Sequence, residues 1–455
     1  MHSYSVDDTI AAIATPLGVG GIGIVRLSGP RAHDILRACF VSADGSPLAH
    51  RRLVYGYVID PADGRRVDEV LATVMVAPAT YTRQDVAEIH AHGGMVALRA
   101  ILALCLAQGA RLAEPGEFTL RAFLLGRVDL AQAEAVLDLI RAKTDRALTA
   151  ALSQLDGGLS QQVSQVRRRL VSLVAHLQAQ MDFPEDEIPE LALGAALAEA
   201  THDLTGLVNE AARGIILREG VRAAIVGKPN VGKSSLLNCL LRADRAIVTP
   251  YPGTTRDTLE ETLDIQGYPL VLVDTAGIAE PQDPVEALGI ERSLRSLERA
   301  ELVLWVADAA APLTDEDRQL AARLDPHRTL VVVNKVDLAE ASKPQELLPE
   351  AAFVRVSCLT GEGIVELEAQ LATMVERDGA AMGAHASAAG VRHRALFDQA
   401  HQAVLRAEAS WSAGATPDLL AVDLEDAVFL LGQVTGETAS EEMLDSIFGQ
   451  FCIGK

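Results

Sequence analysis

The stretch VRAAIVGKPNVGKSSLLNCLL, residues 221–241, constrains the fold more than any other part of the chain. An apolar strand-like run meets a loop matching G-x4-G-K-[ST], and a segment of helical periodicity follows. That order predicts a strand–loop–helix corner, because Gly227 and Gly232 let successive backbone N–H groups face one anion while the helix start adds its positive end. Lys233 is placed to reach outer phosphates, and Ser234 offers a hydroxyl to Mg2+. Asn230, Val231, Gly232, Lys233, Ser234 and Ser235 are therefore candidate nucleotide contacts.

Three more signals follow in order. YPGTTRD carries Thr254 and Thr255, where a threonine can complete a Mg2+ shell and sense the terminal phosphate. LVLVDTAG ends an apolar strand at Asp274, Thr275, Ala276 and Gly277, which suits a water-mediated Mg2+ contact and an N–H to that phosphate. LVVVNKVD ends another strand at Asn334, Lys335 and Asp337. A carboxylate only accepts hydrogen bonds, and guanine presents adjacent N1–H and N2–H donors, so Asp337 selects guanine. VRVSCLTGEG brings Ser357 and Cys358 to a strand end, where a loop N–H can meet the guanine oxygen; the alternative for Cys358 is a small packed residue. Strands and helices alternate from 221 to about 377, which predicts a doubly wound α/β GTPase domain. Ile278 stands where many small GTPases carry a water-positioning glutamine. An arginine finger is worth about 10^3 to 10^5 in rate, but Arg256 is equally a solvated residue. Asn230 offers a neutral oxygen, so a monovalent cation held there and by loop carbonyls can do the finger's electrostatic work.

At 455 residues the chain exceeds one core. Its formal net charge of -22 argues against coating nucleic acid, so any RNA contact must be local. Cys39, Cys105, Cys239, Cys358 and Cys452 show no CxxC pairing and read as free thiols. There is no apolar run of membrane-spanning length and no basic n-region at the start, which predicts a cytoplasmic protein.

The regions flanking the GTPase pattern differ. Residues from about 128 to 215 and 391 to 450 are rich in Ala, Leu, Gln and Glu at helical spacing, which predicts one helical domain interrupted by the GTPase insertion. The first 120 residues mix IGIVRLSG, LATVMVA and VAEIHAHGG with the helical MVALRAILALCLAQG, a separate α/β domain. Gly18, Gly20 and Gly23 satisfy G-x-G-x-x-G, yet no strong strand is expected before them and IVRLSG after them is strand-like. The dinucleotide fingerprint needs a helix there, so it is rejected. Glu88, His90 and His92 alternate on one strand and share a face. Polar residues lining a pocket account for them better than a metal site, since further ligands are lacking nearby.

Taken together, GGIGIVRLSG, EIHAHGG, PGEFTLRAFLLGRVDLAQAEAVLDLI, REGVRAAIVGKPNVGKSSLLN, TPYPGTTRD, DTAGIAE, EALGIERS, NKVD and the terminal FCIGK resemble the tRNA-modification GTPases of the MnmE (TrmE) family over essentially the whole chain. The resemblance implies a multidomain α/β plus α protein. Its parts are an N-terminal α/β folate-binding and dimerisation domain (1–120), a helical domain in two parts (121–215 and 379–455) and an inserted Ras-like GTPase domain (216–378). It implies a homodimer whose GTPase domains pair when GTP and K+ bind, and a flavoprotein partner, MnmG (GidA), carrying FAD. Together they add a carboxymethylaminomethyl or aminomethyl group to C5 of the wobble uridine of certain tRNAs, with the carbon supplied by a tetrahydrofolate derivative. By position, Asn230, Thr249, Tyr251 and Thr254 correspond to K+ ligands, and Ser234 and Thr255 to Mg2+ ligands. Glu286 of EALGIERS corresponds to the water-orienting glutamate, filling the gap at Ile278. Arg26, Glu88, Arg127 and Lys455 correspond to folate contacts, with Arg127 replacing a common lysine.

The alternative for FCIGK is that Phe451, Cys452 and Ile453 plug a helical core. The charges of Lys455 beside the thiol, with the resemblance reaching the last residue, imply instead a tail folded into the folate site, with Phe451 and Ile453 as anchors, Lys455 on folate and Cys452 as nucleophile or proton donor in the modification. The competing reading is a ribosome-assembly GTPase switch on rRNA. That class usually adds a basic RNA-binding appendage, whereas this C-terminal segment is helical and unremarkable in charge.

Overall fold

The computed structural model describes residues 6–183, 192–242, 261–273, 297, 300–339, 341–382 and 388–455. They form two compact units, one of residues 1–137, 155–161 and 432–455, the other of 138–154 and 162–431.

The first unit is built on a seven-stranded sheet of β1 (Ile10–Ile13), β2 (Gly20–Ser28), β3 (Phe40–Ser42), β4 (Val54–Ile59), β5 (Arg66–Met75), β6 (Val86–Gly93) and β7 (Arg111–Leu112), in the order β3-β4-β5-β6-β2-β1-β7. Helices α1 (Ala32–Cys39) and α2 (Met95–Ala107) bury Ile35, Leu36, Leu98 and Ile101 against alternate strand residues Val25, Leu27, Ala87, Ile89 and Ala91. Period-2 alternation sends the intervening residues, Arg26, Glu88 and His90 among them, to the opposite face. The expectation that no strand precedes Gly18 is corrected. IAAI forms β1, antiparallel to β2, because its four apolar residues pair with residues 25–28. A strand and not a helix still follows the glycines, so the dinucleotide fold is excluded here. Helix α3 (Glu117–Leu124) completes the run.

Helices α4 (Leu130–Arg141), α5 (Asp145–Leu155), α6 (Gly158–Asp182) and α7 (Leu193–Glu219) follow. Most of them belongs to the second unit, whose six-stranded sheet holds β8 (Val221–Val226), β9 (Glu261–Ile265), β10 (Tyr268–Leu272), β11 (Leu302–Asp308), β12 (Thr329–Asn334) and β13 (Ala352–Arg355). The order is β13-β12-β11-β8-β10-β9, parallel except for the antiparallel edge strand β9. Both faces are covered. Ala223, Ile225, Leu304, Val306 and Val332 enter one core, and Ala224, Val226, Trp305, Val331 and Val333 the other. That is why these strands read as continuous apolar runs. Further helices among the described residues are α8 (Lys233–Arg242), α9 (Asp315–Ala321), α10 (Ile364–Met382), α11 (Ala388–Ser412), α12 (Pro417–Thr435) and α13 (Glu441–Phe448). The fold is thus the mixed α/β plus α architecture expected, with the doubly wound sheet following the helices α4–α7 in sequence. Among the described residues no helix is long and apolar enough to cross a membrane.

Candidate functional site

β8 delivers the glycine loop to the carboxyl edge of the parallel sheet, where ligands of open α/β sheets bind. Lys233 opens α8 and curls back, its Nζ donating to the carbonyls of Gly227 at 2.8 Å and Lys228 at 2.7 Å. Burial pushes its pKa down. Asn230 holds φ 64, a conformation asparagine tolerates well, and its carbonyl accepts from Lys335 Nζ at 2.9 Å. Lys335 also pairs with Asp308 Oδ2 at 2.6 Å, at the end of β11. Asn334, buried at the end of β12, donates from Nδ2 to Val231 O at 2.9 Å and accepts the Cys358 N–H at 3.2 Å. Gly232 packs against the same amide: at φ 102, a Cβ there would lie 2.1 Å from Asn334 Nδ2.

The loop after β13 joins the group. Ser357 is buried and accepts the Thr360 N–H at 3.2 Å. The Cys358 thiol is pushed up to about 11, chiefly by burial and further by the Cys239 and Asp337 charges. The Cys358 N–H is engaged by Asn334 Oδ1. Ser234 and Ser235 are exposed on the first turn of α8. One contact had no sequence signal: Lys228 Nζ reaches Asp317 Oδ2 at 2.6 Å and Thr314 Oγ1 at 3.0 Å, at the N-terminus of α9. The other expected contacts, Thr249, Tyr251, Thr254, Thr255, Asp274, Thr275, Ala276, Gly277 and Glu286, lie outside the described residues.

A second cluster occupies the sheet face of the first unit that α1 and α2 leave uncovered. Arg26 and Glu88 are direct partners across β2 and β6, with Nε 2.8 Å from Oε1. His90 Nε2 contacts the other carboxylate oxygen at 3.1 Å. The Arg26 guanidinium stands 5.8 Å from the Tyr81 ring centre and 5.9 Å from Phe118, and that of Arg127 stands 4.6 Å from Tyr81. Tyr81, which the sequence did not single out, thus faces both arginines, its hydroxyl 2.9 Å from Thr119 Oγ1. His92 turns instead to Asp68, at 2.7 Å, which raises the pKa of the imidazole. Among the described residues no group of three or more His, Cys, Asp or Glu is placed to hold a metal ion.

The C-terminal tail reaches this cluster. Phe451 is buried, its ring 5.5 Å from Phe448, which in turn lies 6.4 Å from Phe123. Gly454 at φ 95 runs so close to β1 that a Cβ would lie 2.6 Å from the Ile13 carbonyl oxygen. Lys455 is half-buried, and burial together with the charge of Arg26 lowers its pKa. Arg26, Glu88, Arg127 and Lys455 are therefore brought to one region. Cys452 is exposed. The expectation that Ile453 anchors the tail is corrected. Ile453 is 51% exposed: it lies in the turn with Gly454, while Phe451 is the tail residue buried against Phe448.

The glycine loop, the asparagine and lysine braced upon it and the largely parallel sheet with one reversed edge strand define a P-loop GTP-binding hydrolase. Comparison with known proteins narrows the class. The family model "GTP-binding protein TrmE N-terminus" matches residues 9–127, and "MnmE helical domain" matches residues 130–452. A tRNA modification GTPase MnmE of Roseiflexus sp. (strain RS-1) is 47% identical over 465 residues, covering 99% of each chain. The protein of that name from Alkaliphilus oremlandii (strain OhILAs) is 45% identical over 459 residues, 99% of this chain and 100% of the relative. The chain belongs to the MnmE family. Among solved structures, the G domain of the T. maritima FeoB iron transporter is 26% identical over 34% of this chain and 98% of its own, at a TM-score of 0.26, too low to carry any statement about fold.

Proposed function

We infer that the protein is a GTP-hydrolysing tRNA-modification factor. The observation that carries this is the bracing of the phosphate loop by Asn334 and Lys335, which ties the base-reading segment to the phosphate-reading one in a single hydrogen-bonded group. The residues fit a guanine nucleotide. The Lys233 ammonium now satisfied by loop carbonyls can swing to phosphate oxygens, which are stronger acceptors. Asp337 accepts the two guanine N–H donors, and Ser234, exposed on the first turn of α8, would offer its hydroxyl to Mg2+, which would neutralise phosphate charge. Asn230 presents its amide oxygen on the same loop for K+, with Thr249, Tyr251 and Thr254 as further ligands, and Glu286 orients water. These assignments rest on the family. GTP turnover in K+ and in Na+ at equal ionic strength tests them. Many-fold faster turnover in K+ is expected, and equal rates would refute the cation's role.

The first unit supplies the second half of the function. Arg26 and Arg127 set positive charge beside the Tyr81 ring, Lys455 adds a cation that feels the charge of Arg26, and Glu88 offers an acceptor-only carboxylate. This set fits a ligand with a flat donor-bearing ring and acidic groups, as a tetrahydrofolate has. Folate would supply the one-carbon unit. The chain's own part is to hold that ligand by Arg26, Glu88, Arg127 and Lys455 and to present Cys452, as nucleophile or proton donor, at the same place. The protein acts as a cytoplasmic homodimer with a flavoprotein partner of the MnmG type on the wobble uridine of tRNA.

A further inference from the structure

A set of contacts that none of the roles above uses reaches the nucleotide-binding sheet from α5. β9 and β10 are joined by the two-residue turn Gln266-Gly267, with φ 53 and 89, the left-handed pair whose twist matches a tight hairpin. Thr144 caps α5, its hydroxyl accepting the Ala147 N–H at 3.2 Å, and the same hydroxyl donates to the Gly267 carbonyl at 2.8 Å. The stem of Arg146 lies along the glycine so closely that a Cβ there would sit 2.2 Å from Arg146 Cδ. The guanidinium of Arg146 is 4.3 Å from the Tyr268 ring centre. Tyr268 then donates its hydroxyl to Glu376 Oε1 on α10 at 2.8 Å, with Arg146 Nη1 3.7 Å from that oxygen.

The place of this turn in the chain gives the contacts their meaning. β9 begins four residues after the YPGTTRD segment, and β10 ends two residues before Asp274. The hairpin therefore links in sequence the two segments read as sensors of the terminal phosphate, and its turn, about 17 Å along the strands, is fixed to a helix outside the GTPase domain. A hydrogen-bonded ribbon of two strands is stiff, so displacement at one end is felt by whatever holds the other.

We propose that Thr144 and Arg146 are positioning residues for GTP hydrolysis, clamping the β9–β10 turn so that the nucleotide state is transmitted to α5. By linkage, a shift in α5 then alters nucleotide affinity by the same factor. The proposal rests on the reading of the glycine loop as a GTP site, and one experiment separates the two. Hydrogen exchange is followed on the full chain without nucleotide, with GDP and with a non-hydrolysable GTP analogue. Residues 227–234 should gain protection with either nucleotide, and the amides of α5 should exchange several-fold more slowly with the analogue than with GDP. Arg146→Ala should abolish the α5 response while leaving loop protection in place. Arg146→Lys, which keeps a cation over the ring, should restore part of it. Identical α5 exchange in both nucleotide states of the unaltered protein, or an undiminished response in Arg146→Ala, would overturn the clamp. An unprotected 227–234 loop would refute the GTP site, and the clamp with it.

Discussion

Asn334 donates its side-chain amide to the carbonyl of Val231 at 2.9 Å, joining the end of β12 to the middle of the phosphate loop. Its other amide atom holds the Cys358 N–H, so one buried side chain spans three segments. Asn334→Ala leaves a carbonyl and an N–H without that partner. Stability should fall by about 1–3 kcal/mol, as for other orphaned buried polar groups. GTP affinity should fall as well, because the loop loses its brace. Chemical denaturation and equilibrium binding of a fluorescent GTP analogue on the same preparation check both losses. Unchanged affinity would mean that the loop keeps its shape unaided.

The proposed reading of the base by Asp337, an exposed residue, makes a direct prediction. Asp337→Asn replaces an acceptor-only group with an amide that can also donate, which suits the extra carbonyl of xanthine. Binding preference should move from GTP toward XTP in competition assays. GTP binding as tight as in the unaltered protein would refute the guanine assignment.

An ion network in the first unit sets its response to acid. Burial alone would raise the Glu117 carboxyl, but hydrogen bonds from Arg111, from the Glu114 N–H and from buried Arg121 hold it below the usual value. Asp8 is likewise lowered against burial by Arg111 and Arg121. With folded pKa values depressed, the stabilisation is complete above the unfolded values of about 4. It drains as pH falls through the folded ones. Protection of the β1 and β2 amides should therefore hold above about pH 4 and weaken as the pH falls further below it. Glu117→Gln should cost about 3 kcal/mol at neutral pH, the lower end for breaking a buried pair. The cost should shrink in acid, and an equal cost at pH 3 would contradict the network's role.

The tail makes a steric prediction. At Gly454 a Cβ would lie 2.6 Å from the Ile13 carbonyl oxygen, at φ 95. Gly454→Ala should displace Lys455 and weaken binding of a tetrahydrofolate to the full-length protein. GTP turnover should be retained, since the hydrogen bonds that brace the nucleotide loop are made by Lys233, Asn334 and Lys335. Folate affinity unchanged within error would show that the tail does not shape that site.

What could be read from the chain divides along physical lines. The phosphate loop, the NKVD strand end and strands β2, β5, β6, β8, β10, β12 and β13 were legible because their signals are local, namely glycine spacing, apolar runs and a carboxylate beside a lysine, whereas the short β1 was not. Gatherings of distant residues were not. Arg121 meets Asp8 across 113 positions, Thr144 meets Gly267 across 123 and Lys228 meets Asp317 across 89. Each looks like an ordinary polar residue until the fold gathers them. Tyr81 was missed for the same reason, although an aromatic in the polar YTRQD loop was a usable signal. Ile453 was misread because apolarity states what a side chain prefers and not where the fold places it.

The central claim is that nucleotide hydrolysis in the second unit and Cys452 in the first serve one tRNA modification. Mass spectrometry of tRNA nucleosides tests it directly, in cells lacking the protein and in cells where it is restored unaltered or as Cys452→Ser. The account expects C5-aminomethyl-type wobble uridines to vanish without the protein and to return with the unaltered chain. With Cys452→Ser they should stay absent while purified GTP turnover remains near normal. Modified uridines at full level in cells lacking the protein would contradict the function, and full restoration by Cys452→Ser would contradict the role of the thiol.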